Sequence, residues 1–298
     1  MRPDYTDLPA FLRTWVEGVL GSPVAASTSA AHGFSPGVAA RLLCRDGSRA
    51  FLKAVSSQAN PDTPALHRAE ARVTPLLPRH LRTARLLASY DEAPWVALLL
   101  EDLAGRPPEV PWRQRELDAA LVAVVEVGRT PAPARLPAAA DVLAGAFGGW
   151  ARFEPSGTGW QDRHLTGLRR LEADWVVAGT GDRWQHGDVR ADNLIVRPDG
   201  GVVLVDWPSA FAGHPLWDLV MMAPSVVVDG GPVPEALLAR AGVDVDVDVL
   251  LVMVAAAAGY WQHRRQLPPP PGLPGVRAFQ ARQGDVAVAW LRRLTGWR

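Results

Sequence analysis

Short apolar runs alternate with turn residues in the first third of the chain. Four of these runs have the length and composition of antiparallel strands, and they cover residues 38–43, 50–55, 84–90 and 95–100. Between the second and third runs, apolar residues recur at helical spacing over residues 65–77, after an Asn-Pro-Asp-Thr-Pro helix start at 60–64. The pattern predicts an antiparallel sheet with a helix inserted between its strands.

Helical periodicity dominates the rest of the sequence. Six further segments have it: residues 7–20, 114–127, 138–152, 161–178, 247–266 and 278–294. The first precedes the strands and is grouped with them. The overall pattern predicts an α+β chain with an N-terminal lobe over 1–100, a hinge at 101–105 and a larger, mainly helical lobe over 106–298.

One segment inside the helical part has a different pattern. Residues 186–193 read His-Gly-Asp-Val-Arg-Ala-Asp-Asn, and two apolar strands joined by Asp-Gly-Gly follow them. Asp188 and Asn193 have the spacing of a phosphoryl-transfer catalytic loop, and the hairpin would return Asp206 to a position beside Asn193. A nucleoside triphosphate with Mg²⁺ needs an oxygen-rich metal site, and the attacking hydroxyl needs a separate acceptor. An ordinary loop before a strand that ends in aspartate is the alternative.

Composition draws attention to one basic residue. Of the 31 lysines and arginines in the sequence, only Lys53 is a lysine, and it lies inside the apolar run 50–55. A compact ammonium can reach between the α- and β-phosphates in a way that a planar guanidinium cannot reproduce. Glu70, on the predicted helix 65–77, is the best candidate for a carboxylate that pairs with this lysine, and an exposed glutamate is the alternative.

Two connecting segments could also contact a nucleotide. Backbone amides around Ser35 and Gly37, together with the Ser35 hydroxyl, could cover a triphosphate, although an ordinary Gly/Pro turn is the alternative. Glu101 and Leu103 follow the run 95–100, and their backbone could contact the edge of the adenine.

Together these features resemble the aminoglycoside phosphotransferase and choline kinase family, the small-molecule branch of the protein-kinase-like fold. The resemblance extends over about residues 25–225 and rests on the turn 33–37, Lys53, Glu70, and segments 98–103, 186–193, 206–207 and 215–219. It implies a two-lobed fold with ATP and Mg²⁺ as cofactors. The implied acceptor is a hydroxyl of a small molecule, such as an aminoglycoside-like antibiotic, a sugar or an amino alcohol.

The resemblance also implies roles for four acidic or amide residues. Asp188 would be the catalytic base or the group that orients the hydroxyl. Asn193 and Asp206 would hold Mg²⁺. Asp218 would accept backbone N–H groups of the catalytic loop as a structural anchor.

The acceptor itself is not determined by the sequence. The segments 189–190 and 213–215 and Pro208 depart from the family pattern on the acceptor side. Five aromatic residues could line an acceptor pocket or could equally belong to the core: Trp207, Phe211, Trp217, Tyr260 and Trp261. A nucleotide-binding relative without turnover and a protein Ser/Thr kinase are the alternatives. The protein Ser/Thr kinase alternative is disfavoured because only 11 residues lie between Asp206 and Asp218, too few for a peptide-docking activation segment.

Charge and composition exclude some classes of function. The chain has 31 acidic and 31 basic residues, so it lacks the basic surplus of a nucleic-acid-binding protein. The longest apolar run, 249–258, is too short to cross a bilayer, and the first residues do not resemble a signal peptide. A single cysteine, Cys44, excludes an internal disulfide and fits a cytoplasmic location. The oligomeric state is not indicated.

Overall fold

The computed structural model describes residues 3–30, 37–270 and 275–298. It consists of two compact units. The first is formed by Met1–Arg106 with Val205–Ser209, and the second by Pro107–Leu204 with Ala210–Arg298. The short segment Val205–Ser209 therefore carries Asp206 into the first unit, away from its neighbours in sequence.

The first unit contains a five-stranded antiparallel sheet with the strand order β1-β2-β3-β5-β4. The strands are β1 (Val24–Ser29), β2 (Val38–Cys44), β3 (Arg49–Ser56), β4 (Leu86–Glu92) and β5 (Trp95–Glu101). Four of them agree with the predicted apolar runs to within about two residues. The edge strand β1 was not predicted, because its sequence Val-Ala-Ala-Ser-Thr-Ser has no apolar alternation.

Two helices complete the first unit. The helix α1 (Ala10–Leu20) buries Leu12 and Val16 in a core that includes Leu42 and Leu52 of the sheet. It begins three residues later than predicted, because Pro9 occupies the N-cap and a separate 3₁₀ turn precedes it. The helix α2 (Thr63–Val73) packs against β3 and β5.

The second unit is mainly helical. Its helices are α3 (Gln114–Arg129), α4 (Ala139–Leu143), α5 (Gly149–Arg152), α6 (Trp160–Ala173), α7 (Trp175–Gly179), α8 (Trp217–Val228), α9 (Pro234–Ala241), α10 (Val247–Arg264) and α11 (Val276–Thr295). The central helix α10 contacts α5, α6, α7, α8 and α11. Close approach is possible because α10 has Ala255, Ala256, Ala257, Ala258 and Gly259 in succession at its centre, all buried.

Two predicted helices are broken in the structure. The segment 138–152 forms α4 and α5, separated by a turn in which Gly148 has a φ of +80°. The segment 161–178 forms α6 and α7, which meet at Asp174. The helices α8 and α9 are not among the predicted segments.

Two pairs of short strands lie among these helices. The hairpin of β7 (Leu194–Val196) and β8 (Val202–Leu204) agrees with the sequence prediction, with Gly200 in its turn at a φ of +82°. The strands β6 (Arg183–Gln185) and β9 (Phe211–Gly213) also pair, but three residues give too little pattern to predict them. No helix in the described part of the chain is long and apolar enough to cross a membrane.

Candidate active site

Lys53 and two carboxylates form an ionic cluster in the first unit. Leu52 and Ala54 are buried in the core beneath α1, so the alternation of β3 directs Lys53 to the opposite face. There its Nζ lies 2.8 and 2.7 Å from the Glu70 oxygens Oε1 and Oε2 and 2.8 Å from Oδ1 of Asp206. The structure therefore brings together three residues that separate features of the sequence indicate.

Burial and charge act in opposite directions within this cluster. Burial lowers the pKa of Lys53, but the charges of Glu70 and Asp206 outweigh it, so the pKa is raised and the ammonium is charged at neutral pH. Burial raises the pKa of Glu70, while Lys53 and the Trp207 backbone amide stabilise its carboxylate. Glu70 is almost completely buried, so removal of Lys53 would leave an uncompensated charge in the interior.

Asp206 has a backbone conformation that is unusual for a residue with a side chain. Its φ is +70°, and no other non-glycine residue in the described ranges has a positive φ. Aspartate tolerates this region better than most residues, but such a conformation still costs on the order of 1–3 kcal/mol. The adjacent Trp207 is buried and its Nε1–H donates to Thr83 Oγ1 at 3.0 Å, which holds the segment in place. The Asp206 side chain remains 43% exposed, so it is accessible to a ligand.

His67 lies one helical turn before Glu70 on α2. It is 6% exposed, and its Nε2 has no hydrogen-bond partner among the residues that the structure describes. Burial, assisted by the positive charge of Lys53, lowers the pKa of His67 from 6.5 to about 4. The imidazole is therefore neutral in the folded protein at neutral pH.

This shift predicts a pH-dependent stability. Between pH 6.5 and about 4 the unfolded chain binds a proton on His67 that the folded protein does not, so the free energy of unfolding should fall as the pH decreases. The full effect is about 3 kcal/mol, at about 1.36 kcal/mol for each unit of pKa. Urea denaturation above and below this range should show a smaller fall for His67→Leu than for the parent. Equal pH dependence in the two proteins would refute the assignment.

In the second unit, Asp218 holds the start of the loop 186–193. It is 1% exposed, in the first turn of α8, and accepts backbone N–H groups from His186 at 2.6 Å and Gly187 at 2.8 Å. Its own N–H donates to Gln185 Oε1 at 3.0 Å. Burial raises the pKa of Asp218, opposed by His186 and the two amides. Gly187 has a φ of +80°, which explains the glycine between His186 and Asp188.

Asp188 and Asn193 are linked directly within this loop. The Asn193 Nδ2 donates to the Asp188 carbonyl oxygen at 2.8 Å and to Asp188 Oδ2 at 3.1 Å. The Asp188 side chain is 41% exposed and also contacts Arg190, whose Nη2 lies 3.4 Å from Oδ2. Arg190 in turn pairs with Asp192, with Nε 3.1 Å from Oδ1. The loop thus presents an accessible carboxylate whose orientation is set by an amide and a guanidinium.

Asn193 and Asp206 have donor groups that suit Mg²⁺. The amide nitrogen of Asn193 is used by Asp188, so its oxygen is the atom left for a ligand, and Asp206 offers a carboxylate. Both are hard oxygen donors. No group of three or more His, Cys, Asp or Glu side chains suited to a metal occurs in residues 3–30, 37–270 and 275–298.

Comparison with known proteins identifies the family. Residues 28–250 match the model of the phosphotransferase enzyme family. The chain belongs to this family. It is a small-molecule phosphotransferase, and the family prediction made from the sequence is confirmed. No curated protein matches the sequence significantly.

Solved phosphotransferases and kinases share the fold at low sequence identity. Choline kinase LicA from Streptococcus pneumoniae is 13% identical with a TM-score of 0.61, over 94% of this chain and 98% of that one. A second solved structure is a thermostable mutant of aminoglycoside phosphotransferase APH(4)-Ia in a ternary complex with ADP and hygromycin B. It is 13% identical with a TM-score of 0.60, and the match covers 94% of this chain and 98% of that one. Macrolide 2'-phosphotransferase MphH from Brachybacterium faecium is 16% identical with a TM-score of 0.54, over 94% and 96%. These similarities confirm the predicted protein-kinase-like fold.

The remaining predicted nucleotide contacts of this phosphotransferase are only partly described. Ser35 lies outside the described residues. A Cβ atom at Gly37 would overlap the Ala54 carbonyl, so this glycine has a packing reason that is independent of any ligand. The Glu101 N–H donates to the Arg85 carbonyl at 2.9 Å and is not available to a base. The Leu103 amide makes no hydrogen bond within the described part of the chain. A nucleotide contact by Glu101 would therefore use its carbonyl, with Leu103 as the donor.

Of the two interpretations of the five aromatic residues, the core interpretation is correct for four. Trp207, Phe211, Trp217 and Trp261 are each at most 3% exposed, so they belong to the core. Only Tyr260 is partly exposed. Sequence alone does not separate Tyr260 from the other four, because aromatic residues occur in both cores and pockets.

Proposed function

We propose that this phosphotransferase moves the γ-phosphate of ATP to a hydroxyl group of a small molecule, with Mg²⁺ as the required cation. The observation that carries the proposal is the ammonium of Lys53, held between the carboxylates of Glu70 and Asp206 at 2.7–2.8 Å. An ammonium fixed in this way is suited to contact phosphate oxygens. The structural relative with ADP and hygromycin B supports a nucleotide as the donor, since ADP is the expected product.

The side chains of the site have different roles in the proposed reaction. Glu70 would keep Lys53 in place when Lys53 contacts the α- and β-phosphates. Asn193 and Asp206 would hold Mg²⁺, which when bound neutralises charge on the phosphates. Asp188 would orient the acceptor hydroxyl and take its proton while the new oxygen–phosphorus bond forms and the bond from the γ-phosphorus to the ADP oxygen breaks.

Asp188 is suited to this role by its position. Its carboxylate is partly exposed, so a hydroxyl can reach it, and its contacts with Asn193 and Arg190 restrict its orientation. The buried Asp218 fixes the start of the loop that carries Asp188, because it accepts the backbone N–H groups of His186 and Gly187. Phosphoryl transfer depends mainly on positioning and on charge stabilisation, and an anchored loop supplies the first of these.

Loss of the Asp206 charge should weaken Mg·ATP binding. Asparagine tolerates the positive φ of this position, so Asp206→Asn should fold while it loses the charge that contacts Lys53 and would contact the cation. We expect at least about tenfold weaker binding in calorimetry, equivalent to about 1.4 kcal/mol. Asp199→Asn, in the turn between β7 and β8, is the matched control and should bind as the parent does. Unchanged binding by Asp206→Asn would contradict the proposed site.

A further inference from the structure

Three arginines interact electrostatically with Tyr260 in the second unit. Arg264 follows it by one helical turn on α10, and its Cζ lies 5.5 Å from the centre of the Tyr260 ring. Arg277, at the start of α11, donates through Nε to the Pro268 carbonyl at 3.1 Å and through Nη1 to the Gln280 side chain at 2.7 Å. Arg190 is the third and belongs to the catalytic loop.

Ring contacts connect Tyr260 to the anchor of that loop. Its ring centre lies 6.2 Å from that of Phe147, and Phe147 lies 5.1 Å from Trp217, the residue before Asp218. Burial raises the pKa of Tyr260, and its hydroxyl interacts electrostatically with Arg264, Asp188, Arg277 and Arg190. Tyr260 is thus linked electrostatically to the Asp188 carboxylate and to the three guanidinium groups.

Two of these guanidinium groups have no carboxylate partner in the described ranges. Arg264 forms no ion pair there, and Arg277 contacts only a carbonyl and a side-chain amide. The sequence of residues 271–274 contains no aspartate or glutamate. Arg265, the next residue and the C-cap of α10, does pair with Asp285, so neighbouring arginines differ in whether they have a carboxylate partner.

The two unpaired arginines also act on each other. Burial lowers the pKa of Arg277, and the charge of Arg264 lowers it further. Both side chains are partly buried, so their repulsion is screened less than it would be at the surface. Like charges kept together without a counter-ion favour the binding of an anion, which would offset the repulsion.

We propose that Arg264, Arg277 and Tyr260 form a subsite for an anionic group, a carboxylate or a phosphate, on the acceptor molecule. The guanidinium fork matches both groups through paired hydrogen bonds. A polycationic acceptor would instead meet Arg264 and Arg277, which have no carboxylate partner in the described ranges. The inference rests on the proposed function only in taking the bound anion to be part of the acceptor.

A series of probes on one sugar scaffold tests this subsite. Glucose, glucosamine, glucuronate and glucose 6-phosphate are titrated by calorimetry into the protein, with and without saturating Mg·ADP. We expect the two anionic probes to bind at least about tenfold tighter than glucose, and glucosamine to bind more weakly than glucose. A larger advantage for glucuronate or for glucose 6-phosphate would distinguish a carboxylate site from a phosphate site.

Three arginine variants complete the test. Arg264→Gln and Arg277→Gln should each remove most of the advantage of the anionic probes, whereas Arg265→Gln should keep it. Thermal melts would establish that all three variants fold. The inference is overturned if the four probes bind alike or not at all, if glucosamine binds tightest, or if Arg265→Gln behaves as Arg264→Gln does. Failure of the proposed function would be seen separately, as absence of Mg·ATP binding by the parent protein.

Discussion

Replacement of Asp188 by asparagine is expected to slow phosphoryl transfer by roughly 10²–10⁴-fold, the usual effect of removing a positioned acid–base group. The amide oxygen can still accept the hydrogen bond from Asn193 Nδ2, so the loop should keep its shape. The amide cannot take a proton from the acceptor hydroxyl. Nucleotide affinity and melting temperature should therefore stay close to those of the parent.

Turnover measured by ADP release, together with calorimetry of Mg·ATP, would separate these effects. Asp192→Asn is a suitable control, because it removes a carboxylate from the same loop and leaves Asp188 in place. A parent-like rate for Asp188→Asn would show that another group accepts the proton. A parent that binds the nucleotide but never turns over would instead favour a binding protein.

Replacement of Asp218 by alanine is expected to reduce stability and activity together. It would leave the buried N–H groups of His186 and Gly187 without their acceptor, at a cost of about 1–3 kcal/mol for each unsatisfied group. The loop that carries Asp188 would lose its anchor at the same time. Asp218→Asn keeps one oxygen acceptor and should give an intermediate loss.

Thermal melts and turnover of both Asp218 variants measure this prediction. If Asp218 is a structural anchor, both activity and melting temperature should be higher in Asp218→Asn than in Asp218→Ala. An unchanged melting temperature with activity lost would make Asp218 a participant in the chemistry. That result would overturn its structural role.

Local patterns predicted most of the first unit. Apolar runs of strand length, each bounded by turn residues, predicted β2, β3, β4 and β5. Three of these strands have a buried face, whereas β4 alternates between half-buried and exposed positions. Lys53 was indicated because it is the only lysine in the sequence, and helical spacing placed Glu70 on a neighbouring helix. These residues meet in the structure because β3 and α2 pack together.

Other features depend on contacts that are distant in sequence. The Lys53–Asp206 contact spans 153 residues, and the positive φ of Asp206 has no signature in the sequence. The strand β1 has small and polar residues and is defined by its pairing with β2. The unpaired arginines near Tyr260 were missed because the sequence shows charges but not which of them lack a partner. The overall balance of charge therefore concealed a local positive cluster.

Phosphorus NMR of the parent protein with Mg·ATP and a panel of hydroxyl compounds tests the central claim most directly. The panel should include neutral, cationic and anionic members. We expect ADP to form together with a new phosphate monoester on an acceptor, and we expect both signals to be lost with Asp188→Asn. Formation of ADP with inorganic phosphate alone, or a monoester signal that persists in Asp188→Asn, would contradict the account.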